Sequence, residues 1–163
     1  SSDLSDPANP VKQSFSAQLP LAREAVVRLI ARLRDQFAPE TVILAGHSQG
    51  AMLALDVAVV TEPPPDRVVL LSGYALLDSV PNITRSREVT PVVLISHGQS
   101  DPVVPFSSAK DMRQLLEENG FSVEFNEFAG GHGIESSVVA AVSAFVRPTA
   151  SPGVLDEEAT DAH

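Results

Sequence analysis

The chain has 163 residues, 44% of them hydrophobic, and a formal net charge of −10, which suits one domain with a sizeable core. The acidic balance argues against nucleic acid and anionic membrane surfaces as partners. Cysteine is absent, which excludes disulfides, cysteine-ligated zinc, iron–sulfur clusters and thiol catalysis. No apolar run approaches the roughly 20 residues that span a bilayer, and the first residues lack the charged-then-apolar order of a signal peptide. Cytoplasmic is the default compartment, and nothing in the chain fixes it. The opening Ser1-Ser2, without a methionine, reads as the start of a processed product or a fragment.

Residues 1–19 are polar and broken by Pro7 and Pro10, so they read as an extended arm. Pro20 suits a first helical turn. After it Leu21, Ala25, Val26, Leu29, Ile30 and Leu33 recur at helical spacing, with Arg23, Glu24, Arg28, Arg32 and Arg34 on the opposite face. That apolar face reads as core rather than a membrane-binding surface. Thr41–Ala45 is a short buried strand, Gly46–Gly50 a turn, and Ala51 onward a helix that the proline run Glu62–Asp66 stops. Arg67–Ser72 is a second buried strand, followed by a loop-like excursion, Tyr74–Val89. Pro91–Ser96 is a third strand, ending at His97-Gly98. Phe106–Asn119 is an amphipathic helix capped by Gly120. Ser122–Phe128 alternates with period two, as a half-buried edge strand does, and Ile134–Val146 is the last helix. Residues 148–163, with Asp156, Glu157, Glu158 and Asp161, have no apolar period and read as a disordered acidic tail. The domain expectation is an arm over 1–19, a core over 20–147 and a tail over 148–163.

Strands alternating with helices predict an α/β fold, a mostly parallel sheet of about four strands covered by helices on both faces. Ligands of such sheets bind beyond the carboxyl ends of the strands. Three candidate catalytic residues fall there.

The first is Ser48, in Gly46-His47-Ser48-Gln49-Gly50 between a strand and a helix, the context that gives G-x-S-x-G its meaning. Such a turn strains the serine backbone, lifts the hydroxyl clear of the sheet, and leaves room only for glycine two residues to either side. The Gln49 N–H, at a helix N-terminus, points where an oxyanion forms. The competing reading is an ordinary turn with Ser48 as a helix cap. A serine needs a base to take its proton, and the base needs a carboxylate to hold its tautomer. Of the four histidines, His163 lies in the tail, and His47 sits beside the turn with its side chain pointing away from the Ser48 hydroxyl. His97 closes a strand, where a structural role is the commoner one. His132, in Ala129-Gly130-Gly131-His132-Gly133, occupies a glycine-rich loop after the last strand and is the expected base. Asp101 follows the third strand and completes the order Ser, Asp, His; Glu127, Asp78 and Asp66 are less well placed. Arg85 and Arg87 read as solvated loop arginines, and Tyr74–Val89 as the wall or lid of the site. Metal-ligand spacing is lacking around His97 and His132, and no phosphate-binding glycine loop is present.

With Gly46–Ala51, His97-Gly98-Gln99-Ser100-Asp101-Pro102-Val103-Val104-Pro105 and Gly131-His132 in this order, the chain resembles the α/β-hydrolases. More narrowly, it resembles the phospholipase/carboxylesterase family that includes acyl-protein thioesterases, from about Leu21 to Val146. The resemblance implies Ser48 as nucleophile, Asp101 as acid, His132 as base and the Gln49 N–H as one oxyanion donor. It implies small-molecule carboxylic esters as substrates, sometimes thioesters or lysophospholipids, and no cofactor. Such proteins normally carry further strands before the helix at Leu21, and a loop after one of them supplies a second oxyanion N–H. Ser1–Leu19 has neither glycine nor strand pattern. An incomplete fold is therefore expected, its sheet edge exposed at Thr41–Ala45 or a neighbour. Three forms fit: a piece completed by a companion N-terminal segment, a short esterase completed as a homodimer, or a non-catalytic binding module.

Overall fold

The computed structural model describes residues 10–147. Four strands form one sheet among the described residues: β1 (Ile43–His47), β2 (Arg67–Leu71), β3 (Val92–Gly98) and β4 (Ser122–Phe128). They lie side by side in chain order. Every pairing is parallel, with Ile43 beside Arg67, Arg67 beside Val92 and Val92 beside Ser122. All four carboxyl ends therefore reach one rim.

Among the described residues five α-helices accompany the sheet: α1 (Pro10–Phe37), α2 (Gln49–Val60), the single turn α3 (Val80–Ile83), α4 (Phe106–Glu118) and α5 (Ser136–Phe145). Period-two alternation along the strands divides the core. Val68, Leu70, Val93 and Ile95 pack with Ala51 and Leu55 of α2 and with Ala109, Met112 and Leu116 of α4. Val69 and Leu94 point the other way, onto Phe145 of α5. None of the described helices is long and apolar enough to cross a membrane.

Three expectations change. The helix expected from Pro20 begins at Pro10, so residues 10–19 are helical rather than an extended arm. Proline's fixed φ is itself close to helical and its ring forfeits one hydrogen bond; the helix carries on through Pro20 because Leu19 is buried against α2, in a cluster with Met52. Residues 1–9 of the expected arm and the tail over 148–163 lie outside the described residues.

The inward face of α1 is also not the one its apolar residues mark. Leu19 and Ile30 are buried, Arg23 Nη1 reaches Asp56 Oδ2 of α2 at 3.3 Å, and Arg34 donates to the carbonyls of Pro63 and Pro64. A stripe at helical spacing that includes two arginines faces α2. Leu21, Leu29, Leu33 and Phe37 are exposed, and the last three of these line an apolar groove of about 370 Å³ beside Thr41–Leu44. Among the described residues, β1 has no strand on that side, so the expected exposed edge is here.

Third, Tyr74–Val89 is not a loose excursion. It contains a 3₁₀ turn (Leu77–Ser79) and α3, and it buries Tyr74, Leu76 and Ile83. Ser79 Oγ donates to the fully buried Asp56 Oδ1 at 2.9 Å, which pins the segment to α2.

Candidate active site

Strand β1 runs straight into Ser48, whose φ of 56° and ψ of −121° lie where non-glycine residues rarely go. The Ser48 N–H donates to the Leu71 carbonyl at 2.8 Å, hooking the turn onto β2, and α2 starts at the next residue. Gly46 is required, because a Cβ there would overlap the Gly50 carbonyl group. Gly50 is not: a Cβ on it would meet nothing within 4 Å. The expectation that only glycine fits on both sides of Ser48 holds for Gly46 alone.

Asp101 lies in the turn after β3 and its side chain is fully buried. Its Oδ1 accepts the N–H groups of Val103 at 2.8 Å and Val104 at 2.9 Å. Burial pushes its carboxyl pKa up, but the Val104 N–H, His132 and the Val103 N–H outweigh burial and hold it below the usual aspartate value. The group is a carboxylate at neutral pH.

His132 comes from the glycine loop after β4. That loop is zipped to the Asp101 loop by Gln99 N–H to Phe128 O at 2.8 Å and Ser100 N–H to Gly130 O at 3.0 Å. The approach depends on Gly98, where a Cβ would overlap the carbonyls of Gly130 and Gly131. His132 Nδ1 lies 2.7 Å from Asp101 Oδ2, and its Nε2 lies 2.9 Å from Ser48 Oγ. A carboxylate oxygen only accepts, so Nδ1 carries the proton; Nε2 is then free to accept the Ser48 hydroxyl proton. Residues 48, 101 and 132, far apart in the chain, thus form one line of hydrogen bonds on the carboxyl rim.

Among the other candidates, Gln49 opens α2, and the first N–H groups of a helix have no carbonyl one turn back to bond. Asp66 is engaged at the opposite end of the sheet, where its Oδ2 accepts the Val42 N–H at 2.7 Å. Glu127 is exposed on β4, and the Asp78 side chain lies outside the described set. Arg87 is no solvated loop residue: its side chain is only 6% exposed, and its Nη1 stands 3.7 Å from Glu62 Oε1. Together with the exposed Arg85 it lines a cavity of about 500 Å³ between Glu62–Asp66 and Arg85–Thr90, at the amino ends of the strands and so remote from Ser48. No group of three or more His, Asp or Glu side chains that could hold a metal ion occurs among the described residues.

Two histidines do more than sequence reasoning assigns them. The His47 Nε2–H donates to the His132 backbone carbonyl at 2.8 Å. The two rings lie 5.0 Å apart. His97 is fully buried, with Nε2 2.9 Å from the Val104 carbonyl and 3.3 Å from Asp101 Oδ2. The period-two pattern could place both at strand ends, but no local signal reveals that a loop more than 80 residues later folds over His47.

Residues 4–150 match the Phospholipase/Carboxylesterase family. Acyl-protein thioesterase 1 of Gibberella zeae is 31% identical over 120 residues, covering 70% of this chain and 50% of that protein. Acyl-protein thioesterase 1 of Debaryomyces hansenii is 30% identical over 93 residues, covering 56% of this chain and 40% of that one. The chain thus spans half or less of the length of these curated relatives. Among solved structures, esterase PE8 superposes with a TM-score of 0.74 at 25% identity, over 86% of this chain and 66% of that one. Arabidopsis thaliana SOBER1 gives 0.70 at 25% identity, over 79% and 63%.

Proposed function

The chain belongs to the phospholipase/carboxylesterase family of α/β-hydrolases, and from that premise we propose that it carries the catalytic centre of a serine hydrolase acting on carboxylic esters. The observation that carries the reading is the unbroken line Ser48–His132–Asp101, at 2.9 and 2.7 Å. In this reading His132 Nε2 takes the Ser48 proton as Oγ attacks the ester carbonyl. The carboxylate of Asp101 stabilises the imidazolium that results. The oxyanion of the tetrahedral intermediate faces the Gln49 N–H at the start of α2. Collapse expels the alcohol, which takes the proton from His132 and leaves an acyl group on Ser48. Water then attacks the acyl group with His132 again as base. No cofactor enters. The names of the relatives in Gibberella zeae and Debaryomyces hansenii, acyl-protein thioesterase 1, support thioesters as a further substrate class, since the same steps expel a thiolate. Tyr74 and Leu76, which cluster with Met52 and Val104 next to the triad, support Tyr74–Val89 as a wall of the acyl site; its anchor through Ser79 to Asp56 makes it fixed rather than a moving lid.

The edge of β1 that no strand among the described residues pairs with, and the groove beside it, favour a second element of the reading. A companion segment, corresponding to the half of the relatives' length that this chain does not span, lays a parallel strand along β1. It covers Leu29, Leu33 and Phe37 and supplies a second oxyanion N–H. A lone donor limits the rate, because one oxyanion hydrogen bond is worth about 10²–10³-fold. The function is tested by turnover of a p-nitrophenyl acyl ester: Ser48→Ala and His132→Ala abolish it while leaving the circular dichroism spectrum unchanged. Full activity in either variant overturns the proposal, and a folded chain inert towards esters and fluorophosphonates leaves a binding module.

A further inference from the structure

Asp101 has a second histidine. His97 ends β3, fully buried, and its Nε2 faces two oxygens, the Val104 carbonyl at 2.9 Å and Asp101 Oδ2 at 3.3 Å. Both only accept here, so Nε2 carries the proton. The other ring nitrogen, Nδ1, is buried with no hydrogen-bond partner. That arrangement is unfavourable for a residue that only fills space: leucine or phenylalanine would fill the site without stranding a polar atom. What histidine adds is its Nε2–H.

The hydrogen bonds around it run from His97 through Val104 to Asp101, whose other oxygen lies close to the same Nε2. Val104 donates its N–H to Asp101 Oδ1 at 2.9 Å and accepts from His97 through its carbonyl. Asp101 Oδ2 then lies between the His97 Nε2–H and the His132 Nδ1–H. Oδ1 is fixed by two backbone groups, while Oδ2 would be held on one side only, by the mobile partner in the reaction. We infer that His97 is a positioning residue of this site: as a neutral, Nε2-protonated imidazole it locks the Val104 peptide and flanks Asp101 Oδ2, so that the carboxylate stays aimed at His132. This rests on the proposed triad, and it extends the triad to a buried residue that never touches substrate.

The tautomer is read directly in the wild-type chain by long-range ¹H–¹⁵N correlation of ¹⁵N-labelled histidines at pH 7. His97 is expected to show a protonated Nε2 and a bare Nδ1; an Nδ1–H tautomer or a doubly protonated ring overturns the inference. Variants separate shape from hydrogen bonding. Glutamine extends an amide N–H to roughly the place of Nε2, and leucine cannot. In His97→Leu the downfield proton resonance of His132 Nδ1–H is expected to weaken or shift, and kcat to fall at least tenfold with KM within twofold. His97→Gln restores both to within threefold of wild type. A folded His97→Leu chain with an unchanged His132 resonance and kcat contradicts the assignment, as does a glutamine variant as impaired as leucine. Should His97→Leu not fold, the tautomer and the glutamine variant still decide. The resonance measurements need no turnover, so an inert wild-type chain counts against the hydrolase reading and leaves the test of His97 intact.

Discussion

A Cβ placed on Gly46 would overlap the carbonyl group of Gly50, whereas one placed on Gly50 would meet nothing within 4 Å. The two glycines of the turn around Ser48 are therefore unequal. Gly46→Ala pushes β1 off the start of α2 and is expected to cost at least about 2 kcal/mol, as overpacking a tight contact does, and to abolish ester turnover. Gly50→Ala, in the first turn of a helix, is expected to keep activity within threefold and to gain up to about 1 kcal/mol. Chemical denaturation and kcat on one ester check both. Equal effects at the two positions would mean that the turn is built differently.

Asp101→Asn keeps an oxygen for the Val103 and Val104 N–H groups but turns an amide toward His132 Nδ1. An amide N–H there opposes the tautomer that leaves Nε2 free. In serine proteases the equivalent change lowers kcat about 10⁴-fold, and a loss of about 10³–10⁴-fold is expected, with a lower unfolding midpoint at neutral pH because the stabilised carboxylate is gone. Steady-state kinetics with a denaturation curve measures it.

His47 holds the backbone of the base rather than its ring. His47→Phe removes that donor and leaves the His132 carbonyl without it, which is expected to destabilise the chain by about 1 kcal/mol. The same change should lower kcat roughly tenfold, in line with the sensitivity of such geometry to small displacements. His47→Gln, which can reach the same carbonyl, is expected to lie close to wild type. Parallel kinetics on the two variants distinguish the bond from the ring.

Burial lowers the pKa of His97 from its ordinary 6.5, against the opposing pull of the Val104 carbonyl and Asp101, while the His132 charge lowers it further. The unfolded chain takes up a proton at this residue near pH 6.5, and the native chain does so only at lower pH. Between those two values the unfolded state binds more protons, so stability falls as pH drops. Asp101, held below 3.8, contributes stability that is present above that pH and lost only beneath it. The unfolding free energy is thus expected to fall between pH 7.5 and 5.5, with a shallower slope in His97→Gln, since His47 and His132 are common to both proteins. Urea titrations at the two pH values give the slopes, and identical slopes would remove His97 as their source.

Leu33→Glu and Phe37→Glu place charge in the groove beside β1. Both residues are exposed, so each is expected to alter the stability of the chain alone by less than about 0.5 kcal/mol. A relative's N-terminal segment, added in trans, is expected to speed modification of Ser48 in the parent chain and to fail in either variant. Sedimentation showing a parent dimer that both variants dissolve would instead make a second copy the occupant.

Much of this was legible in the sequence. The β4 limits at Ser122–Phe128 follow from the alternation that opens the run, Ser122 to Phe125, and the turn at Ser48 from a strand, two glycines and a helix. Asp101 and His132 could be placed on the rim because parallel strands send every following loop to one end. What misled was α1, where apolar periodicity marked Leu21, Leu29 and Leu33 as core although all three are exposed, and Leu29 and Leu33 border an edge of β1 that no described strand covers. Periodicity reports which residues avoid water, not which element covers them. Arg23 and Arg34 were misplaced for the converse reason: their charged groups are met by Asp56 and by two proline carbonyls, partners that no local pattern reveals. The same limit hid the bonds of His47 and His97, which depend on where distant loops cross.

Acylation of Ser48 tests the central claim most directly. The folded chain is treated with a fluorophosphonate, digested, and the modified residue located by tandem mass spectrometry, with His132→Ala in parallel. One phosphonyl group on Ser48 in the parent chain, and little or none in His132→Ala over the same time, is the predicted result. A folded parent chain that stays unlabelled, or a label on another residue, would contradict it.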